Sequence, residues 1–207
     1  MSSGYQVKKC MSRGVSVPAS STLAPVCGVG IANEARLNLV IDIYTGAVVG
    51  TPSLVFQDST GYGIWNTIKT ASASASTNQT VSAVSPTTGV LTIAAHGYTN
   101  GQMVAIGSTG TVPGGLDPSQ AYFIQNATTN TFQLSAYQGN SNPVSSFTDS
   151  GSGTITVCAA QVVTIRMNAQ VSADQAYMPL RPEGQLACTT TSGQTCQILL
   201  CNSGYTY

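Results

Sequence analysis

The chain contains a single histidine, His96, so any histidine-based catalysis would depend on this residue. The only carboxylates available to orient it within residues 79–157 are Asp117 and Asp149. A catalytic base also needs a nucleophile placed beside it, and no serine lies in a G-x-S-x-G turn. We therefore interpret His96 as a structural residue of the turn Ala94–Tyr98, with its ring bonded to the backbone at the end of a strand.

The six cysteines, at positions 10, 27, 158, 188, 196 and 201, do not have the spacing of a zinc site. Structural zinc needs four ligands and usually a C-x2–4-C pair. The nearest pairs, Cys196-x4-Cys201 and Cys188-x7-Cys196, have no second histidine to complete them, so no metal site is predicted. Residues 1–18 lack the apolar run of a signal peptide, and we expect six reduced thiols, several of them buried.

Two glycine-rich stretches, residues 28–33 and 61–66, begin like a dinucleotide-binding fingerprint. Each has asparagine where the third glycine belongs, and neither opens a helix on which a pyrophosphate would lie. No phosphate-binding G-x-x-x-x-G-K-[ST] loop and no acidic pair at glycosidase spacing occur. The sequence therefore predicts a protein without catalytic residues or cofactors.

Charge is unusually scarce, at 7% of the residues against roughly 25% in an ordinary soluble domain. Seven basic and seven acidic residues cancel, so no net field attracts nucleic acid or an acidic membrane surface. No stretch approaches the roughly 18 uncharged apolar residues that span a bilayer. We expect neither nucleic acid nor a membrane as partner.

The elements that hold these residues are predicted to be strands. Apolar and polar residues alternate over 36–44 and again over 161–168, as in strands with one buried face. Thr45-Gly46 is expected to turn the chain after the first of them. Further strands are predicted at 53–57 and 62–68, and no helical stripe of useful length occurs up to residue 70.

Residues 79–157 form a segment of short apolar alternations separated by turn-forming clusters. Strands are predicted near 80–84, 89–94, 102–106, 121–125, 131–136 and 153–157. The alternating alanines and serines of residues 71–76 lead into this segment and indicate a linker.

The last predicted element is a hairpin made by residues 185–190 and 196–201. A two-residue turn would pair Cys188 with Gln197, whereas a three-residue loop would pair Cys188 with Cys196. Only the longer loop places the apolar side chains of both strands on one face, so we prefer it. Cys188 and Cys196 would then be neighbours and the first pair to oxidise.

Together these patterns predict an all-β protein. An antiparallel, sandwich or jelly-roll-like outer domain would comprise residues 31–70 and 158–207, after an extended N-terminal arm at 1–30. A linker at 71–78 would lead to a small β-barrel domain, residues 79–157, inserted in one loop of the outer domain.

The inserted segment resembles a small β-barrel unit of tailed-phage structural proteins, which is similar to the first catalytic-cysteine half-domain of ubiquitin-activating enzymes. The resemblance covers residues 79–157, and Tyr98 stands where leucine is expected. It rests on His96-Gly97 before Gly101, the loop Pro113–Leu116, Tyr122–Ile124, Asn130–Ser135, and Phe147–Asp149 before Gly153-Thr154. It implies an accessory domain without chemistry.

The outer domain resembles small phage virion proteins of the cement or decoration type, through residues 36–44, residues 178–184 and its low charge. This resemblance implies a structural protein, made in the host cytoplasm, that binds the outer capsid surface of a virion as a homotrimer. Its partner would be the major capsid protein, and Lys8, Lys9 and Arg13 are the candidate contacts. The alternative is a receptor- or glycan-binding component of a tail or fibre, with Tyr62 and Trp65 as stacking residues.

Overall fold

The computed structural model describes residues 6–8, 15–17, 24–30, 38–59, 65–139, 142–167, 183–192 and 194–206. All regular structure within these ranges is β-strand, and the strands pair antiparallel in three sheets. The predicted all-β class is therefore confirmed. The strands are β1 (Gln6–Lys8), β2 (Val15–Val17), β3 (Ala24–Gly30), β4 (Asn38–Val49), β5 (Ser53–Ser59), β6 (Trp65–Ser72), β7 (Gln79–Thr80), β8 (Ala83–Ser85), β9 (Val90–Thr92), β10 (Met103–Ser108), β11 (Ala121–Gln125), β12 (Thr131–Ser135), β13 (Ile155–Ala159), β14 (Gln161–Met167), β15 (Glu183–Thr189) and β16 (Thr195–Thr206).

A five-stranded sheet is built around β4 and β16, which are 12 residues long each. β14 pairs with the other edge of β4, and both β1 and β2 pair with β16. The predicted alternation is confirmed, because Ile41, Ile43, Val163 and Ile165 are all buried. These residues place one face of the sheet in the core.

The predicted turn at Thr45-Gly46 is wrong, since β4 continues to Val49. Gly46 marks a close approach instead: a Cβ at this position would collide with the side-chain amide of Gln197. That amide oxygen accepts a hydrogen bond from the Ala47 N–H at 3.2 Å. A glycine inside a strand often marks such a contact rather than a reversal of the chain.

A four-stranded sheet has the order β3-β15-β5-β6. The predicted hairpin between residues 185–190 and 196–201 is therefore wrong, because β15 and β16 lie in different sheets. Both edges of β15 are occupied by β3 and β5, and β16 lies between β4 and the N-terminal strands. The local turn signal does not decide the pairing when longer-range partners fill both edges.

Residues 1–30, predicted as an extended arm, contribute β1, β2 and β3 where the structure describes them. β1 and β2 add to β16, and β3 adds to β15. The partner of these three strands is thus the chain itself.

The seven-stranded sheet has the order β7-β13-β10-β11-β12-β9-β8. The two strands at the ends of this order, β7 and β8, are consecutive in sequence. Residues 79–85 therefore hydrogen-bond to β13 at one end and to β9 at the other. The Val81 N–H donates to the Ile155 carbonyl at 2.9 Å, and the Ser82 N–H donates to the Thr92 carbonyl at 2.8 Å. The single segment of residues 79–85 therefore connects the two ends of the strand order by hydrogen bonds.

This seven-stranded sheet encloses a hydrophobic core of its own, formed by inward-facing side chains from nearly every strand. Alternate residues of β11 and β12, such as Tyr122 and Ile124, are buried. The buried members of this core are Leu91, Ile93, Tyr98, Val104, Ile106, Leu116, Tyr122, Ile124, Phe132, Leu134, Phe147, Ile155 and Val157. None of them comes from the other two sheets.

Residues 71–78 make hydrogen bonds and packing contacts with the strands on either side. The Ser74 N–H donates to the side-chain oxygen of Gln161 at 3.1 Å, and the Gln161 amide donates back to the Ser74 carbonyl at 2.6 Å. Ser76 forms a bridge with Val48, and Ala73 is buried. These contacts hold the two crossings into and out of the seven-stranded sheet side by side.

Candidate functional site

His96 lies at the end of the seven-stranded sheet with its ring buried. Its Nδ1 accepts the Tyr98 N–H at 2.9 Å, and its Nε2 lies 3.4 Å from the Thr131 carbonyl oxygen. Because Nδ1 is the acceptor, the proton belongs on Nε2, where it can donate to that carbonyl. The ring stacks on Tyr98 and meets the edge of Phe132, with centroids 5.4 and 5.0 Å apart. Both ring nitrogens of His96 thus interact with backbone groups, as the sequence predicted.

The residues predicted as contact sites are only partly placed. Lys8 ends β1, opposite Ser203 of β16, and Lys9 and Arg13 lie outside the described residues. Trp65 begins β6, whereas Tyr62 lies outside the described residues.

An open groove of about 580 Å³ lies where the seven-stranded sheet meets the five-stranded sheet. One wall comes from β10 and β13, the other from β4 and the start of β16. Its polar side chains are hydroxyls and amides, and no charged residue is among the described residues that line it. The hydroxyl and amide side chains that line the groove are Asn78, Ser108, Thr109, Thr154, Thr156, Thr195 and Gln197.

The floor of the groove is formed where the two sheets touch. Ala105 of β10 and Cys158 of β13 pack against Leu199 of β16. A register shift between Ile198 and Leu200 makes Leu199 a bulge residue, and bulges re-aim side chains. This explains why the consecutive residues Ile198 and Leu199 are both fully buried.

Sequence reasoning missed this groove. Its outward-facing residues on β10 and β13 look like the solvated side of an ordinary alternating strand. Nothing local indicates that this side of the sheet faces β16, because the contact depends on how two distant segments of chain are placed.

Cys188 and Cys196 meet in the interior, 0% and 1% exposed. Their thiols share a hydrogen bond, which lowers the pKa of Cys188 and raises that of Cys196. The predicted proximity of the two cysteines therefore holds, although it arises between sheets and not across a hairpin. Burial also raises the pKa of the Cys158 thiol, and all three are free thiols.

Within the described ranges, no three histidine, cysteine, aspartate or glutamate side chains are grouped so that they could hold a metal ion. The same part of the chain has no helix long and apolar enough to cross a bilayer. Comparison with protein-family models, curated proteins and solved structures finds no match for this chain.

Proposed function

We propose that this protein is a non-enzymatic structural component of a tailed-phage virion that binds the outer surface of the capsid and stabilises it. The observation that carries the proposal is the low content of charged residues, 7%, in an all-β chain of 207 residues. A surface of hydroxyls, amides and glycine suits a protein held permanently in a large assembly, because its contacts depend on hydrogen bonds and shape.

The arrangement of the cores supports the same proposal. Residues 79–157 carry their own core and contact the five-stranded sheet through a small apolar cluster around Leu199. As an inserted β-barrel module, this segment would project outward, and the sandwich-like outer domain would dock on the major capsid protein as a trimer. Such a protein adds interface area across the boundaries between capsid subunits.

The decisive experiment is the copy number of the protein in purified virions, measured separately for heads and tails by quantitative mass spectrometry. Hundreds of copies on heads are expected, since a shell offers many equivalent sites. Absence from heads would end the proposal.

The basic N-terminal residues give a second test at the level of the contact. Lys8→Gln, Lys9→Gln and Arg13→Gln together retain residues 1–30, whereas deleting these residues would remove β1, β2 and β3. The triple variant should show at least tenfold weaker binding to capsids that lack the protein. Lys69→Gln, at an exposed position of β6, is the matched control and should bind as the unaltered protein does. Equal binding by both variants would exclude the basic contact.

A second candidate function, a glycan- or receptor-binding component of a tail or fibre, is favoured by the uncharged groove. Gly107 lines the groove, and a Cβ there would meet only Thr156 at 3.7 Å. Gly107→Val should therefore narrow the groove without straining β10. Glycan-array binding that is lost in this variant or in Trp65→Ala, with the protein found on tails, would replace the capsid proposal.

A further inference from the structure

Two thiols from different sheets meet at one point of the core. Cys188 lies on β15, opposite Leu54 of β5, and Cys196 lies on β16, opposite Val48 of β4. Both are free and almost completely buried. Since the thiols are already in hydrogen-bonding contact, the two sulfur atoms are neighbours placed to form a covalent bond.

We propose that Cys188 and Cys196 form a disulfide that joins the four-stranded and five-stranded sheets when the protein meets a low-molecular-weight disulfide such as oxidised glutathione. The reaction takes two electrons from the protein. One cysteine thiolate attacks the small disulfide, giving a mixed disulfide and one free small thiol. The other thiolate then attacks the protein sulfur, forming the Cys188–Cys196 bond and releasing the second small thiol. The two cysteine protons end on the two small thiols.

The structure assigns different roles to the two sulfurs. Cys196 lines the open groove, whereas Cys188 does not, so of the two buried sulfurs Cys196 is the first that a local opening of the groove presents to the small disulfide. The Cys188 thiol is in contact with the Cys196 sulfur, so Cys188 is the group placed for the second attack, on the Cys196 sulfur of the mixed disulfide. In the reduced pair, the hydrogen bond with Cys188 and burial raise the pKa of the Cys196 thiol, so the first attack is the slow step.

Because the two cysteines lie in different sheets, a disulfide between them would affect the stability of the fold. β15 and β16 share no backbone hydrogen bonds, and residues 190–194 connect them. A disulfide between them would restrict the unfolded chain and resist separation of the two sheets. For a closed loop of this size the melting temperature should rise by about 5–10 °C.

The test uses the full chain, purified reduced and then equilibrated with mixtures of reduced and oxidised glutathione. After alkylation, chymotrypsin should cleave at Leu186 and Leu199, so that both cysteines fall on one peptide without Cys201. We expect this peptide to lose two hydrogens and both alkylation sites, while the Cys158 peptide stays alkylated. Alkylation of both Cys188 and Cys196 after oxidation of another cysteine would overturn the proposal, as would a bond from either to a third cysteine.

The melting temperature provides the second measurement. Cys188→Ala should abolish its dependence on oxidised glutathione. Cys158→Ala removes another buried free thiol and should keep that dependence unchanged. A redox-dependent shift in melting temperature that survives in Cys188→Ala and disappears in Cys158→Ala would show that the disulfide includes Cys158 and not Cys188. That result would overturn the proposal. If Cys188→Ala fails to fold, the peptide map of the unaltered protein still decides.

Discussion

Thr45 places a hydroxyl without a hydrogen-bond partner in the core of the protein. Its side chain is fully buried in β4, and its Oγ1 is the one buried side-chain oxygen or nitrogen among the described residues without a hydrogen-bond partner. Thr164, on the neighbouring strand, is half-buried, and its hydroxyl donates to the Asp42 carboxylate at 2.6 Å. An unpaired buried hydroxyl destabilises the folded state, and a paired one contributes to its stability.

Thr45→Val should therefore raise the free energy of unfolding by about 1 kcal/mol, since the methyl group replaces a desolvated hydroxyl of the same shape. Urea denaturation measures this change. Thr164→Val is the matched control and should lower the free energy of unfolding by about 1 kcal/mol. Destabilisation of similar size in both variants would show that Thr45 has a partner in solution.

Tyr98 predicts how stability depends on pH. Its hydroxyl donates to the Val157 carbonyl at 3.1 Å inside the core. Burial, and to a smaller degree Cys158, raises its pKa to about 12 from the usual 10.0. Because the folded state keeps this proton more tightly than the unfolded state, the contribution is complete below pH 10 and is lost between pH 10 and 12.

Tyr98→Phe should accordingly lose less stability than the unaltered protein between pH 10 and pH 12, as measured by urea denaturation at each pH. Identical pH dependence of Tyr98→Phe and the unaltered protein would show that the buried hydroxyl does not govern this range.

At the scale of the elements, the turn of the β8–β9 hairpin is a position of the seven-stranded sheet that is sensitive to substitution. This turn contains Gly89, with φ +64°, whose N–H donates to the Ser85 carbonyl at 2.9 Å. A Cβ at Gly89 would collide with the Val144 carbonyl. Gly97 has a similar φ of +71°, but a Cβ there would meet nothing within 4 Å.

The pair Gly89→Ala and Gly97→Ala separates backbone strain from collision. Gly97→Ala should cost about 1 kcal/mol, the strain of a left-handed alanine. Gly89→Ala should cost roughly 3 kcal/mol, because the segment containing Val144 must also move. Thermal and urea unfolding measure both values, and equal losses would mean that the Val144 segment yields without cost.

At the scale of the whole molecule, the organisation into outer strands and residues 79–157 can be tested by excision. The hydrogen bonds between Ser74 and Gln161 keep the two crossings adjacent, so a short Gly-Ser link can replace residues 79–157. Removal would expose Leu199, which is fully buried against Ala105 and Cys158. The excision is therefore combined with Leu199→Thr.

The shortened chain should remain folded and unfold cooperatively, with a lower melting temperature, as followed by circular dichroism. The excised residues 79–157, expressed alone, should also unfold cooperatively because their core is their own. Loss of folding in the shortened chain with Leu199→Thr would show that residues 79–157 are part of the outer core.

Patterns local to the chain predicted several of the individual elements. The alternation around Ile41 and Ile43 and that around Val163 and Ile165 predicted β4 and β14, since period 2 reflects one buried face of a strand. The backbone role of His96 followed from its setting in a turn and the lack of a nucleophile. These features depend on near neighbours, which a sequence records directly.

Partnerships between distant segments were decided only by the tertiary structure. Cys188 and Cys196 are eight positions apart, yet they meet across two sheets because β3 and β5 occupy both edges of β15. Gly46 reads as a turn in isolation and proves to be the site where Gln197 approaches β4. The sequence by itself determined an all-β, nearly uncharged chain, whereas packing decided the groove and the thiol pair, because both depend on surfaces that no single stretch of residues contains.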